Sequence, residues 1–215
     1  QIAYSILLNG KGSKRVSFMT IDGSAQYFRS PGGVPQKLHE IYPNSKILLL
    51  FRNPVDRIYS NYRMNIKQNP KTLQQWPTFS KFLETSGWQQ CAINNYADNL
   101  ERWYQTFPRK QILVIKSEDF FECTQEILAE IFEFLELSSH KIKDLAPIIP
   151  LADNSFRVNV AVQTRRSQQA RVIKRSIPGK HYPPVKKEER VVLERHFEPL
   201  NKKLYTLLGR DFNWK

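Results

Sequence analysis

The chain has 215 residues, with 33 Lys+Arg against 20 Asp+Glu and a formal net charge of +13 at pH 7. A hydrophobic content of 40%, with 12% aromatic residues, supports one core of ordinary domain size and excludes a disordered tail. Two cysteines, Cys91 and Cys123, exclude a disulfide scaffold and a four-thiolate zinc site, and the longest apolar run, Ile47–Phe51, is far short of the ~20 residues of a membrane span.

The elements follow in chain order. The chain opens at Gln1 without an initiator methionine, so it is read as an N-terminally incomplete single domain over residues 1–215. Asn9-Gly10-Lys11-Gly12-Ser13-Lys14 is glycine-rich and basic and reads as an ordinary loop. Arg15–Thr20 reads as a short strand running into a turn at Asp22-Gly23-Ser24. Val34–Ile41 is a short helix. Lys46–Phe51 is continuously apolar after its lysine, the mark of a strand buried on both faces. Asn53 can then cap a helix with Pro54 at its first position, and Val55, Ile58, Tyr59, Tyr62 and Ile66 follow helical period. Asn69–Pro77 reads as a loop, and Ala92–Phe107 as a helix. Gln111–Ile115 is a second buried strand, and Thr124–Leu137 an amphipathic helix. Lys187–Leu208 is a last helix, with Gly209 as its C-cap. Strands alternating with helices predict an α/β domain, a mainly parallel sheet flanked by helices.

The charge is uneven. Residues 154–187 carry nine basic side chains, among them Lys174, Arg175 and Lys180, and no Asp or Glu. The rest of the chain holds 24 basic and 20 acidic residues. An anionic partner follows: nucleic acid, acidic glycan, phosphorylated nucleotide or membrane surface. The stretch lacks interleaved aromatics, which disfavours base stacking, so it reads as a loop closing over an anion or as a solvated surface. The two cysteines fit free thiols or one bridge, with free thiols the expectation.

Ligands of such folds bind at the carboxyl ends of strands, where helix N-termini present free N–H groups. Arg52 stands at that junction and Ser60 two helical turns further on, a fork and a hydroxyl suited to a phosphate monoester. A structural salt bridge at Arg52 and a surface hydroxyl at Ser60 is the alternative.

Phe51–Tyr62, FRNPVDRIYSNY, resembles the 3′-phosphate-binding motif of sulfotransferases that use 3′-phosphoadenosine 5′-phosphosulfate (PAPS). Asp22–Phe28, DGSAQYF, is similar to the Glu-Lys-Ser-Ala/Pro-x-Tyr-Phe segment of the heparan sulfate N- and O-sulfotransferases. Tyr96–Trp103 (YADNLERW) with Gln111–Glu118 (QILVIKSE), Phe132–Leu137 (FEFLEL, where the family has Phe-Leu-Gly-Leu) and Phe197–Trp214 continue the likeness in order. The resemblance implies a P-loop-kinase-like sulfotransferase fold. It also implies transfer of a sulfuryl group from PAPS to a hydroxyl or amine of an acceptor, expected to be a carbohydrate, with 3′-phosphoadenosine 5′-phosphate (PAP) as product and no metal.

By the same resemblance Arg52 and Ser60 hold the 3′-phosphate. Asp22 stands where the family has its glutamate base, one methylene shorter; a turn-forming role before Gly23 is the alternative. Asn99 replaces a histidine and can orient an acceptor without exchanging a proton. Arg175–Val185, RSIPGKHYPPV, resembles the basic loop over the phosphosulfate. Gly179 and Lys180 match it best, with Lys174, Arg175 and His181 as further donor-lid or acceptor-binding groups. The family's Lys-x-Gly-Thr-(Thr/Ser) loop for the 5′-phosphosulfate has no counterpart here and is expected upstream of Gln1. No nucleic-acid partner is expected. Animal glycan enzymes of this type lie in the Golgi lumen and bacterial relatives in the cytoplasm, which leaves compartment open. The competing expectation is an inactive sulfotransferase-like module binding acidic glycan or nucleic acid.

Overall fold

The structure is a computed structural model that describes residues 4–11, 17–24, 26–93, 95–138, 157–162, 171–176 and 185–214. It divides into two units, residues 1–116 with 185–215, and residues 117–184.

The first unit is built on a four-stranded sheet in the order β2-β1-β3-β4. Its strands are β1 (Tyr4–Lys11), β2 (Ser17–Asp22), β3 (Lys46–Phe51) and β4 (Ile112–Lys116). β3 and β4 pair in parallel, from Ile47 opposite Ile112 to Phe51 opposite Lys116. β1 runs antiparallel to both β3 and β2. The parallel pair is thus extended at one edge by an antiparallel β1–β2 pair, and Asn9, Gly10 and Lys11, expected in a loop, belong to β1. Residues 12–14 of that stretch lie outside the described residues. In β3, Ile47, Leu49 and Phe51 are buried while Leu48 and Leu50 are half-buried. One face of this strand is therefore fully covered, where the sequence predicted two.

Helices α1 (Val34–Ile41), α2 (Pro54–Gln68), α3 (Thr72–Gln75), α4 (Phe79–Phe82), α5 (Trp88–Ile93) and α6 (Tyr96–Tyr104) lie between β2 and β4 in the chain, and a long C-terminal helix follows at Lys187–Leu208. The α2 start is set locally: Asn53 Oδ1 accepts from the Val55 amide (2.9 Å) and Pro54 takes the first position, where its missing N–H costs nothing. A π-helical turn at Leu83–Gly87 joins α4 to α5. The predicted Ala92–Phe107 helix is two helices. Asn95 caps the second, its Oδ1 accepting from the Ala97 (3.0 Å) and Asp98 (3.4 Å) amides. Such a cap satisfies N–H groups that a continuous helix would use itself.

Two apolar clusters form the core. One joins β3, β4, α6 and the C-terminal residues through Phe28, Phe51, Tyr96, Trp103, Leu204 and Phe212. The other joins α2, α4 and the C-terminal helix through Val55, Ile58, Phe79, Phe82, Leu193 and Phe197. The C-terminal helix serves both because Leu193, Phe197 and Leu204 fall on one helical stripe. It ends at Gly209, which takes φ 69° as expected of a left-handed C-cap.

The second unit holds α7 (Ser117–Glu122), α8 (Thr124–Phe134) and an antiparallel pair, β5 (Arg157–Val162) with β6 (Arg171–Ser176). Part of the basic stretch read as a loop is therefore strand, in keeping with its β-branched run Val158, Val160, Val162, Val172 and Ile173. Both cysteines are free thiols, Cys91 buried and Cys123 exposed. Among the described residues no helix is long and apolar enough to cross a membrane.

Candidate active site at the carboxyl end of the third strand

Three sequence segments converge where β3 ends. Phe51 closes the strand, fully buried, with Tyr96 of α6 stacked on its ring at 4.2 Å and 7°. Phe28 packs against Phe51 at 5.3 Å and against Trp103 at 6.5 Å. The DGSAQYF, FRNP and YADNLERW stretches thus meet through four aromatic rings. Such rings bury large areas in defined mutual geometries, which makes them a rigid floor for the residues above.

Arg52 is the first residue beyond this floor. Its carbonyl accepts from the Tyr96 hydroxyl at 3.1 Å, so its backbone is tied to α6 as well as to β3. Its side chain is half-buried, and among the described residues no carboxylate pairs with it. The structural salt bridge weighed for Arg52 is therefore absent among those residues. Asp56, one turn into α2, is instead taken by Arg190 of the C-terminal helix, and the Arg57 guanidinium lies 5.6 Å from the centre of the Tyr96 ring. Ser60 stands seven residues beyond Asn53, about 10 Å along the axis and back on the side of the helix cap. It lies away from the buried stripe of Val55, Ile58, Tyr62 and Ile66. Arg52 stands just before the Asn53 cap and Ser60 about two turns into α2.

Asp22 ends β2. Its Oδ1 accepts from the Ser24 hydroxyl (2.6 Å) and the Ser24 amide (2.9 Å). The Ser24 hydroxyl, more than any other group, holds the carboxyl below its ordinary value of 3.8, and Tyr27 adds a smaller push the same way. Asp22 is ionised at neutral pH and anchors a tight turn, so the turn-forming role weighed for it is present. The ladders set Asp22 opposite Ile6, and Ile6 opposite Ile47. Asp22 therefore lies five residues short of Arg52 along the strands and two strands across, of order 19 Å away. The structure does not bring these two together at one phosphate. β2 runs in the same direction as β3, so the chain leaving Asp22 travels toward the β3 end, and Phe28 arrives there.

Asn99 is buried. Its amide donates to the Asn95 carbonyl at 2.7 Å and its Oδ1 accepts from Arg102 at 2.9 Å. Lys174 and Arg175 fall in β6, opposite Asn159 and Val158. Gly179, Lys180 and His181 lie outside the described residues. Sequence reasoning missed Tyr96, whose hydroxyl and ring hold the Arg52 turn, and Arg102. Asn95 ahead of a helical run was the available signal for the first; no local pattern announced the second.

Comparison with known proteins gives a consistent result. Residues 31–205 match the family profile described as Sulfotransferase domain. The chain is 24% identical to human heparan sulfate glucosamine 3-O-sulfotransferase 3B1, over 91% of this chain and 51% of that protein. It is 26% identical to mouse bifunctional heparan sulfate N-deacetylase/N-sulfotransferase 3, over 87% of this chain and 22% of that protein. A solved sulfotransferase from Alicyclobacillus acidocaldarius superposes with a TM-score of 0.57 at 23% identity, covering 88% of this chain and 64% of that one, which speaks to fold. The chain spans about half the length of the human 3-O-sulfotransferase it matches.

Proposed function

The chain belongs to the sulfotransferase domain family, and from that premise we propose that it transfers a sulfuryl group from PAPS to a hydroxyl or amine of a carbohydrate acceptor. The observation that carries the proposal is Arg52: a cation at the carboxyl end of a parallel strand, at the head of a capped helix, with its backbone locked by Tyr96 and no carboxylate partner among the described residues. A guanidinium so placed suits bidentate contact with a phosphate, and the start of α2 adds positive dipole.

PAPS, when bound, supplies an activated sulfuryl group at the end of the nucleotide remote from its 3′-phosphate. Arg52 and Ser60 would hold the 3′-phosphate. Asp22, ionised and some 19 Å from Arg52 by the ladder estimate, would take the acceptor proton. The lowered proton affinity makes Asp22 a weak base that stays ready at neutral pH. Asn99 would contribute position and no proton. Gly179, Lys180, His181, Lys174 and Arg175 complete the proposal as donor or acceptor contacts, supported by the density of positive charge in that stretch.

Calorimetric titration of the full-length protein with PAP, and with adenosine 5′-phosphate as the partner lacking a 3′-phosphate, tests the site. Wild type should prefer PAP. Arg52→Ala should lose that preference, weakening PAP by about 1.5–3 kcal/mol, tenfold or more. A variant that still discriminates PAP from adenosine 5′-phosphate would sink the assignment of Arg52.

A further inference from the structure

One guanidinium joins α6 to the segment that carries Asp22. Arg102 Nη2 donates to the Phe28 carbonyl (2.9 Å) and to Asn99 Oδ1 (2.9 Å). The same carbonyl accepts from Trp103 Nε1 (3.1 Å), so both of its lone pairs are engaged. Asn99 is 8% exposed, and its amide bond to the Asn95 carbonyl one turn back fixes which way its oxygen faces. Arg102 Nε is buried without a partner among the described residues, and no carboxylate among them neutralises the guanidinium.

This is a costly way to gain stability alone. Arg102 is half-buried, and keeping its Nε–H buried without a partner among the described residues incurs desolvation that a well-packed apolar side chain would avoid. What the arrangement does provide is placement. Bonds inside the Asp22–Phe28 segment are local, from Ser24 to Asp22 and from the Tyr27 amide to the Ser24 carbonyl. The position of the segment against the β3 end is set at Phe28, by its ring on Phe51 and Trp103 and by its doubly bonded carbonyl.

We propose that Arg102, aimed by Asn99, is a positioning residue: β2 holds Asp22 in the sheet, Arg102 holds the Phe28 end of the following turn against α6, and the two together set how the Ser24-bonded Asp22 carboxylate stands relative to Arg52. This rests on the sulfotransferase reading for its consequence in turnover, and on geometry alone for its consequence in structure. Asn99 occupies the place where the resembling family motif has histidine, so the strut here contains no group that titrates near neutrality.

The test uses the full-length protein with Arg102→Gln, Arg102→Lys and Asn99→Ala. Hydrogen exchange should quicken about tenfold at the Ser24, Tyr27 and Phe28 amides in Arg102→Gln while the β3 amides of Ile47–Phe51 keep their protection. PAP affinity should stay at the wild-type value and kcat for sulfate transfer should fall roughly 10- to 100-fold. Arg102→Lys, which keeps the charge and three donors but is shorter and lacks the planar fork, should recover part of the loss. The losses of Ser24–Phe28 protection in Arg102→Gln and Asn99→Ala should be less than additive in the double variant, because the two side chains share one hydrogen bond. Unchanged exchange at Ser24–Phe28, unchanged kcat, or loss of protection spread evenly over β3 would each overturn the strut. A wild type that neither binds PAP nor transfers sulfate overturns the functional reading instead. The exchange comparison then still decides the strut, faster exchange confined to Ser24–Phe28 supporting it and unchanged exchange overturning it.

Discussion

Glu136 adopts φ 57° just past the end of α8, a left-handed conformation that crowds any Cβ and costs an L-residue about 1–2 kcal/mol. The Leu137 amide reaches back to the Phe132 carbonyl (2.9 Å) and the Glu136 amide to the Glu133 carbonyl (2.9 Å), the closing pattern in which glycine is usual. The resembling family motif has glycine at this place. Glu136→Gly should therefore raise unfolding free energy by about 1 kcal/mol, read as a higher urea midpoint; an unchanged or lower midpoint would show that other contacts of Glu136 outweigh its backbone. His196 makes a second case. Burial lowers its pKa below 6.5, so in the folded protein it stays neutral where the unfolded chain already binds a proton. Its contribution is fully present above about pH 6.5 and is lost as pH falls through the folded value. Urea midpoints at about pH 7.5 and about pH 5.5 should differ less in His196→Phe than in wild type. An equal pH difference in the two proteins would remove His196 as the cause.

At the scale of elements, α1, β3, the start of α2 and the whole C-terminal helix were legible because their signals are local: helical period, an Asn-Pro start, a terminal glycine. What was not legible depends on distant partners. β1 is a strand because β2 and β3 flank it in the sheet, and glycine and lysine in Asn9–Lys11 argue locally for a loop. The break before Tyr96 went unseen because the apolar spacing runs on through Asn95. Its consequence is large, since it brings Tyr96 under the Arg52 turn. Of the candidate site, Arg52, Ser60, Asp22 and Asn99 are the residues that motif order proposes. Tyr96 and Arg102 act through carbonyl groups 44 and 74 residues away in the chain, a relation no spacing rule encodes. The π-helical turn carries its own prediction. A Cβ on Gly87 would lie 2.7 Å from Leu83 Cδ2 and 3.3 Å from the Phe82 carbonyl oxygen. Gly87→Ala should destabilise by about 1–3 kcal/mol through overpacking, seen as a lower thermal midpoint. A midpoint at the wild-type value would mean the turn yields freely.

At the scale of the molecule, the charge of +13 resolves into parts with different work. Some cations are matched within the first unit: Arg190 by Asp56, Lys203 by Asp98 and Glu101. Arg52 has no such match among the described residues and stands at the strand end where α/β folds take their ligands. Nine more cations gather between residues 154 and 187 with no acidic residue among them, four of them in β5 and β6. An anionic nucleotide and an acidic acceptor would both be served by such a distribution, and long-range attraction of either should weaken with salt. The most direct measurement is transfer of labelled sulfate from PAPS to a heparan-type oligosaccharide by the full-length protein, with Arg52→Ala alongside. Transfer by wild type and its loss in Arg52→Ala is the expected result. Salt-sensitive binding of the oligosaccharide with neither PAP affinity nor sulfate transfer would contradict it and mark a binding module on a sulfotransferase scaffold.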